Sequence, residues 1–223
     1  MPVDPQSSIE VTAFDWVPDF ARGFVRDLRP RWACEEIGLD YAEHLISAVD
    51  RPAGHFLFQP WGQVPVLNDG GIRLFESGAI LLHLAEKHGT LMPRDTQARA
   101  STLAWLFAAY NSVEPMFMEL GEIDIFSAEE EWAKLRRPGL VEFIRGRLAR
   151  LSDAMGDNAY LTGAFTVADI AMATVLREGV EAGLIAEQPR LAAYLDRCLA
   201  RPAFQRALAA QLESFSEEAG PPA

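Results

Sequence analysis

The chain has 223 residues, 49% of them hydrophobic and 23% charged, a composition that supports a packed core in one or two domains without external staples. Its 20 Lys and Arg against 32 Asp and Glu leave a net charge of −12, which argues against nucleic acid and anionic membrane surfaces as partners. No run of about 18 consecutive apolar residues occurs and the first residues are polar, so neither a membrane span nor a signal peptide is read and the cytoplasm is the expected compartment.

Residues Ile9 to Phe14 alternate and favour a strand, followed by a loop through Pro18. Apolar residues at Ala21, Val25, Leu28 and Trp32 then lay a stripe on a helix that ends before Gly38. Pro30 limits where that helix starts. With Asp27 as N-cap, Pro30 falls at the third helical position, where its missing N–H is not needed, and residues 15–26 become an enlarged loop or separate turn.

Tyr41 to Ile46 reads as a second strand. Gln63 to Leu67 and Ile72 to Phe75 flank the turn Asn68-Asp69-Gly70-Gly71 as a hairpin. An apolar periodic stretch from Ala79 to Lys87 is a helix that Gly89 terminates.

Beyond Pro93 the pattern is helical. A long helix is expected from Gln97 to Leu120, Ser127 with Glu130 and Thr166 with Asp169 read as capping boxes, further helices start near Pro189 and Pro202, and the tail is expected to fray. The change from mixed to all-helical pattern, with Pro93-Arg94-Asp95 as the hinge in sequence, divides the chain into a domain over residues 1–90 and a second over 96–223.

Few residues suggest independent chemistry. Cys34 and Cys198 have no CxxC spacing and lie in helical stretches, so both are expected to be reduced and inert. His44, His55, His83 and His88 lack metal-site spacing, and no metal is expected.

Gly62-Gln63-Val64-Pro65-Val66-Leu67, Glu76-Ser77-Gly78-Ala79-Ile80 and Thr166-Val167-Ala168-Asp169-Ile170 closely resemble three marker segments of glutathione transferases, and the stretch from Ala33 to Tyr41 resembles a fourth. In order and spacing these segments cover roughly residues 9 to 205. The resemblance implies an α/β thioredoxin-like N-terminal domain that binds glutathione. It also implies an all-α C-terminal helical bundle that contributes the hydrophobic substrate pocket, and a two-fold homodimer with the Glu76-containing region near the partner's second domain.

By the same resemblance, Gln63, Val64 and Pro65 bind glutathione, a cis Val64–Pro65 bond exposing backbone that pairs with the cysteinyl part; taken alone, Pro65 also suits the start of an edge strand. Glu76 and Ser77 take the ammonium and carboxylate of the γ-glutamyl group, with the helix N-terminus behind Ser77 favouring the anion.

The sequence departs from the family at the thiol. Family members activate it with Tyr, Ser or Cys after the first strand, whereas counting back from Glu35-Glu36 reaches Val25 or Arg26, and the spacing of tyrosine-type members reaches Phe20. Activation then falls to backbone N–H groups or to Arg22 or Arg26, either of which also reads as an ordinary ion-paired side chain. Trp16 reads as pocket floor or as core between domains, and Tyr110 and Asn111 are the candidates for the electrophile pocket.

The leading functional reading is an enzyme joining glutathione to a small hydrophobic electrophile, or using it in a related isomerase or peroxidase reaction. The absent Ser-Ser-Cys pattern counts against the isomerase branch, and Cys34, about two turns inside its helix, counts against a protein mixed disulfide. The alternative is a non-catalytic binding or interaction protein of the same fold.

Overall fold

The computed structural model describes residues 3–221. Strand β1 (Ile9–Phe14) is central in a four-stranded sheet of order β2-β1-β3-β4. It pairs parallel with β2 (Ala42–Ile46) and antiparallel with β3 (Val66–Asp69), which the turn at Gly70 and Gly71 joins to β4 (Ile72–Phe75).

Register assigns the two faces. Val11 stands beside Glu43 and Leu67, while Thr12 stands beside His44 on the opposite face. Helices α1 (Leu28–Ile37) and α2 (Ser77–His88) cover the Val11 face: Arg31 of α1 pairs with Glu43, and His83 of α2 with Asp69, at 2.8 Å. Val11, Trp32, Leu67, Leu81 and Leu84 form the core there, each with 0% of its surface exposed. This β-α-β, β-β-α arrangement is a thioredoxin-like unit, with the helix start at Leu28 after Asp27 and the ends at Gly38 and Gly89 expected from the sequence.

The chain divides into two compact units, Met1–Leu91 with Ala200–Ala223, and Met92–Leu199. The sequence groups everything from 96 to 223 together, but α8 (Pro202–Glu213) returns to pack along α1. Three contacts explain the return. Arg201 binds Glu36 through two hydrogen bonds of 2.6 and 2.7 Å, Arg206 binds Glu35 at 2.7 Å, and the Trp32 and Phe204 rings meet edge-on with centroids 4.8 Å apart. The tail, expected to fray, is held over residues 216–219: Ser216 N–H donates to the Asp15 carbonyl at 2.8 Å, and a 3₁₀ turn spans Glu217–Ala219.

The second unit is helical: α3 (Thr96–Ala108), α4 (Glu114–Gly121), α5 (Glu131–Met155), α6 (Val167–Arg177) and α7 (Pro189–Leu199). The single helix expected over 97–120 is interrupted by a π-turn over Ala109–Val113, with a second over Glu122–Phe126. Pro115 cannot donate to the helical ladder, and the backbone widens immediately before it. The capping box expected at Ser127 does not form. Ser127 instead closes the second π-turn through its N–H to the Glu122 carbonyl at 3.0 Å, and α5 starts after Glu130.

The box at Thr166 and Asp169 does form, at the head of an α6 that is buried along nearly its whole length. Asp169 Oδ2 accepts from Thr166 N–H and hydroxyl at 2.9 and 3.0 Å; Oδ1 accepts from Leu161 N–H at 2.9 Å and the Tyr194 hydroxyl at 3.1 Å. Burial pushes this carboxyl upward against the hydrogen bonds that pull it down. Asp169→Ala strands these buried donors and is expected to cost about 3–5 kcal/mol. Urea unfolding checks this, and an unchanged midpoint would remove Asp169 as the organiser of the unit.

Candidate functional site

Two of the sequence motifs come together through strand register. Val66 pairs with Phe75, so Pro65 and Glu76 each lie one residue outside the same cross-strand pair. Because β1 runs antiparallel to β3, its C-terminal end, which feeds the loop over residues 15–27, lies at this end of the sheet too. The Val64–Pro65 peptide is cis. His55, buried on the 3₁₀ turn Ala53–Leu57, holds the carbonyl of exposed Gln63 through Nε2 at 2.7 Å.

Glu76 is the only link between β4 and α2, and the chain changes from strand to helix within that residue. The result is φ 69° and ψ 112°, a region that L-residues rarely occupy. Such conformations cost about 1–3 kcal/mol and concentrate where a side chain must point in one direction. Ser77, the first residue of α2, is buried, and its hydroxyl accepts from Arg29 Nη1 at 3.1 Å. Arg29 is itself 2% exposed. A helix N-terminus, a hydroxyl and a buried guanidinium therefore meet at one point beside an exposed carboxylate, an arrangement that suits a ligand carrying one negative and one positive group.

The loop from Asp15 to Asp27 contains a short 3₁₀ turn, Asp19–Ala21. Arg22 is ion-paired with Asp19 at 3.3 Å and with Glu217, and its guanidinium lies 5.9 Å from the centre of the Phe215 ring. Its charge is thus engaged by two carboxylates. Arg26 is partly buried just before α1. Trp16 is partly buried against the C-terminal segment, where a Cβ on Gly220 would stand 2.7 Å from its Nε1.

Among the described residues, the Val25 N–H has no acceptor. In the second unit, Tyr110 and Asn111 lie within the first π-turn, Tyr110 half-buried and Asn111 exposed.

Neither cysteine is accessible: both have 0% of their surface exposed. Burial, with Glu35 and Asp69 nearby, pushes the Cys34 thiol up to about 12. Among the described residues, no group of three or more His, Cys, Asp and Glu could hold a metal ion. A cavity of about 340 Å³ lies on the Thr12 face of the sheet, away from α2, and none of the expected site residues lines it.

Reading the sequence missed Arg29 and His55. Arg29 carried a signal of sorts, an arginine at the second position of a helix with no acid one turn on. The His55 bond to a carbonyl eight residues away left no pattern to find.

Glu76→Gly offers a check on the strained backbone. Glycine removes the strain at a cost of roughly 0.5–1 kcal/mol in backbone entropy, so this variant is expected to be at least as stable as the parent and more stable than Glu76→Ala. Thermal unfolding of the three proteins measures it, and Ala above Gly would contradict the strain.

A profile of the glutathione S-transferase N-terminal domain matches residues 20–86. Glutathione S-transferase F11 of Arabidopsis thaliana is 30% identical over 165 residues, 68% of this chain and 76% of that protein. The disulfide-bond oxidoreductase YfcG of Escherichia coli (strain K12) is 40% identical over 94 residues, 37% of this chain and 43% of its own length. Among solved structures, a glutathione transferase family member from Pseudomonas fluorescens pf-5 with two glutathione bound is 27% identical with a TM-score of 0.80, covering 91% of this chain and 94% of that one.

Proposed function

The chain belongs to the glutathione S-transferase family, and we propose that it is an enzyme that binds glutathione and transfers its sulfur to a small hydrophobic electrophile. The observation that carries this reading is the meeting of Glu76, Ser77 and Arg29 beside the Val64–Pro65 peptide. In this reading Glu76 takes the γ-glutamyl ammonium and Ser77, with the α2 N-terminus and Arg29, takes its carboxylate. Gln63, Val64 and Pro65 hold the cysteinyl backbone.

The thiol then lies toward the start of α1, and backbone N–H groups near Val25 and Arg26 supply the donation that a Tyr, Ser or Cys gives elsewhere in the family. A donor and a positive helix end both favour thiolate over thiol, and binding brings it to the electrophile. Arg22, which is paired with Asp19 and Glu217, and Arg26 are the cationic candidates for that role. Tyr110 and Asn111 are assigned to the electrophile. A cytoplasmic, detoxifying role accords with such chemistry, and among the described residues no helix is long and apolar enough to cross a membrane.

A second reading is glutathione-dependent disulfide reduction, which the match to the Escherichia coli disulfide-bond oxidoreductase favours. With Cys34 and Cys198 buried, it would use glutathione alone. One glutathione thiolate attacks the substrate disulfide and releases one thiol; a second attacks the resulting mixed disulfide, releasing the other thiol and glutathione disulfide.

Calorimetric titration with glutathione and with S-hexylglutathione tests the site. The parent is expected to bind both, the hexyl derivative more tightly, and Glu76→Ala and Ser77→Ala to weaken both about tenfold or more, some 1.4 kcal/mol. Turnover of 1-chloro-2,4-dinitrobenzene, with Arg22→Ala and Arg26→Ala beside the parent, separates backbone activation from a cationic one. No binding and no turnover would leave a non-catalytic protein of this fold.

We also propose a homodimer. Leu57 and Trp61 are 79% and 66% exposed, with Phe56 and Phe58 also exposed near them in the chain, apolar surface that a second copy would cover. Sedimentation equilibrium is expected to give twice the 24.7 kDa chain mass, and a monomer would end this proposal.

A further inference from the structure

The C-terminal segment holds the loop that leads into α1 at both ends. At the loop's start, Ser216 N–H donates to the Asp15 carbonyl at 2.8 Å, Glu217 pairs with Arg22, and Gly220 lies so close to the Trp16 ring that a Cβ there would force one of them to shift. At its end, Gln211 of α8 inserts its side-chain amide. Nε2 donates to the Val25 carbonyl at 3.0 Å and to Asp27 Oδ1 at 2.7 Å.

Gln211 has 0% of its surface exposed, and its Oε1 is buried with no hydrogen-bond partner. An orphaned buried acceptor costs about 1–3 kcal/mol. Rotating the amide by half a turn would not relieve it, because the oxygen would then face a carbonyl and a carboxylate. The orientation is therefore forced by the two acceptors of the loop, and the residue is kept for its two N–H bonds at the expense of its oxygen.

A peptide group is planar and trans, so fixing the Val25 carbonyl also fixes the Arg26 N–H on the other side of the same plane. The Leu28 N–H grips that carbonyl as well, at 3.1 Å, and Asp27 is held from its second oxygen by Arg31 at 2.7 Å. We propose that Gln211 is a positioning residue for thiol activation, aiming the Val25–Arg26 peptide N–H from across the α8–α1 contact. This rests on the reading that the thiol lies at the start of α1. No hydroxyl or thiol side chain stands in residues 15–27 to do the work instead, so the direction of a backbone N–H matters more here than where a Ser or Tyr donates.

Two measurements on the full chain test this. The first is hydrogen exchange of the ligand-free protein, comparing the parent with Gln211→Met, which keeps the volume and removes both donors and orphan. Peptides covering residues 20–28 are expected to exchange faster in the variant and the rest of the chain to be unchanged. Equal exchange in that segment would overturn the clamp whether or not glutathione binds.

The second is the thiolate absorbance of bound glutathione against pH in the parent, Gln211→Met and Gln211→Glu. The bound thiol of the parent is expected to titrate below the ordinary value of about 8.5, and that of both variants about one unit higher, roughly a tenfold loss of thiolate at neutral pH. Affinity for S-hexylglutathione is expected to stay within about twofold of the parent's, far short of a tenfold, 1.4 kcal/mol loss. An unchanged thiol titration in Gln211→Met refutes the positioning role, as does loss of S-hexylglutathione binding, which would mean general disruption of the site. A parent that binds neither ligand instead refutes the proposed function, and the exchange result still decides the clamp.

Discussion

A buried guanidinium organises the first unit. Arg31 has 0% of its surface exposed and reaches three elements at once: Asp27 at the head of its own helix, Glu43 on β2, and Ser214 just beyond α8, 3.3 Å away. Burial opposes its charge, but Asp27, Tyr41 and Glu43 hold it firmly protonated. Removing one member of such a cluster leaves uncompensated charge in the interior, worth several kcal/mol, so β2, α1 and the returning α8 are committed to one arrangement. Everything proposed for the loop before α1 depends on that arrangement, because Asp27 lies in both the Arg31 cluster and the Gln211 contact.

The parts of the fold that were legible in the sequence are those fixed locally. Asn68-Asp69-Gly70-Gly71 between two apolar runs can only be a tight reversal, and the hairpin is there. Asp27 stands at the N-cap position without capping a backbone N–H, its carboxylate engaged by Arg31 and Gln211, while Pro30 and the left-handed Gly38 bound α1 through chemistry that acts within one turn. Thr166 and Asp169 form their box for the same reason. Ser127 with Glu130 has the same spacing and forms none, because Ser127 was already needed to end a π-turn, which apolar periodicity does not reveal.

The return of α8 was invisible for a different reason. Its apolar face reads like any helix of a bundle, and what sends it back to α1 is the matching of Arg201 and Arg206 to Glu36 and Glu35, more than 160 positions away in the chain. The candidate site divides along the same line. Glu76-Ser77 and Val64-Pro65 were readable as short motifs, whereas Arg29, His55 and Gln211 enter only through contacts between elements.

Two departures from local stability cluster at this end of the sheet and on the loop that leaves it. Glu76 occupies a backbone region that suits glycine, and Gln211 buries an acceptor without a donor. A glycine at 76 would satisfy the local backbone more cheaply, whereas an apolar residue at 211 would remove the orphaned oxygen but take the donor from the buried Asp27 Oδ1 and the Val25 carbonyl. Each makes sense if a side chain or peptide must point in one direction, Glu76 toward a cationic group and the Val25–Arg26 peptide toward a thiol.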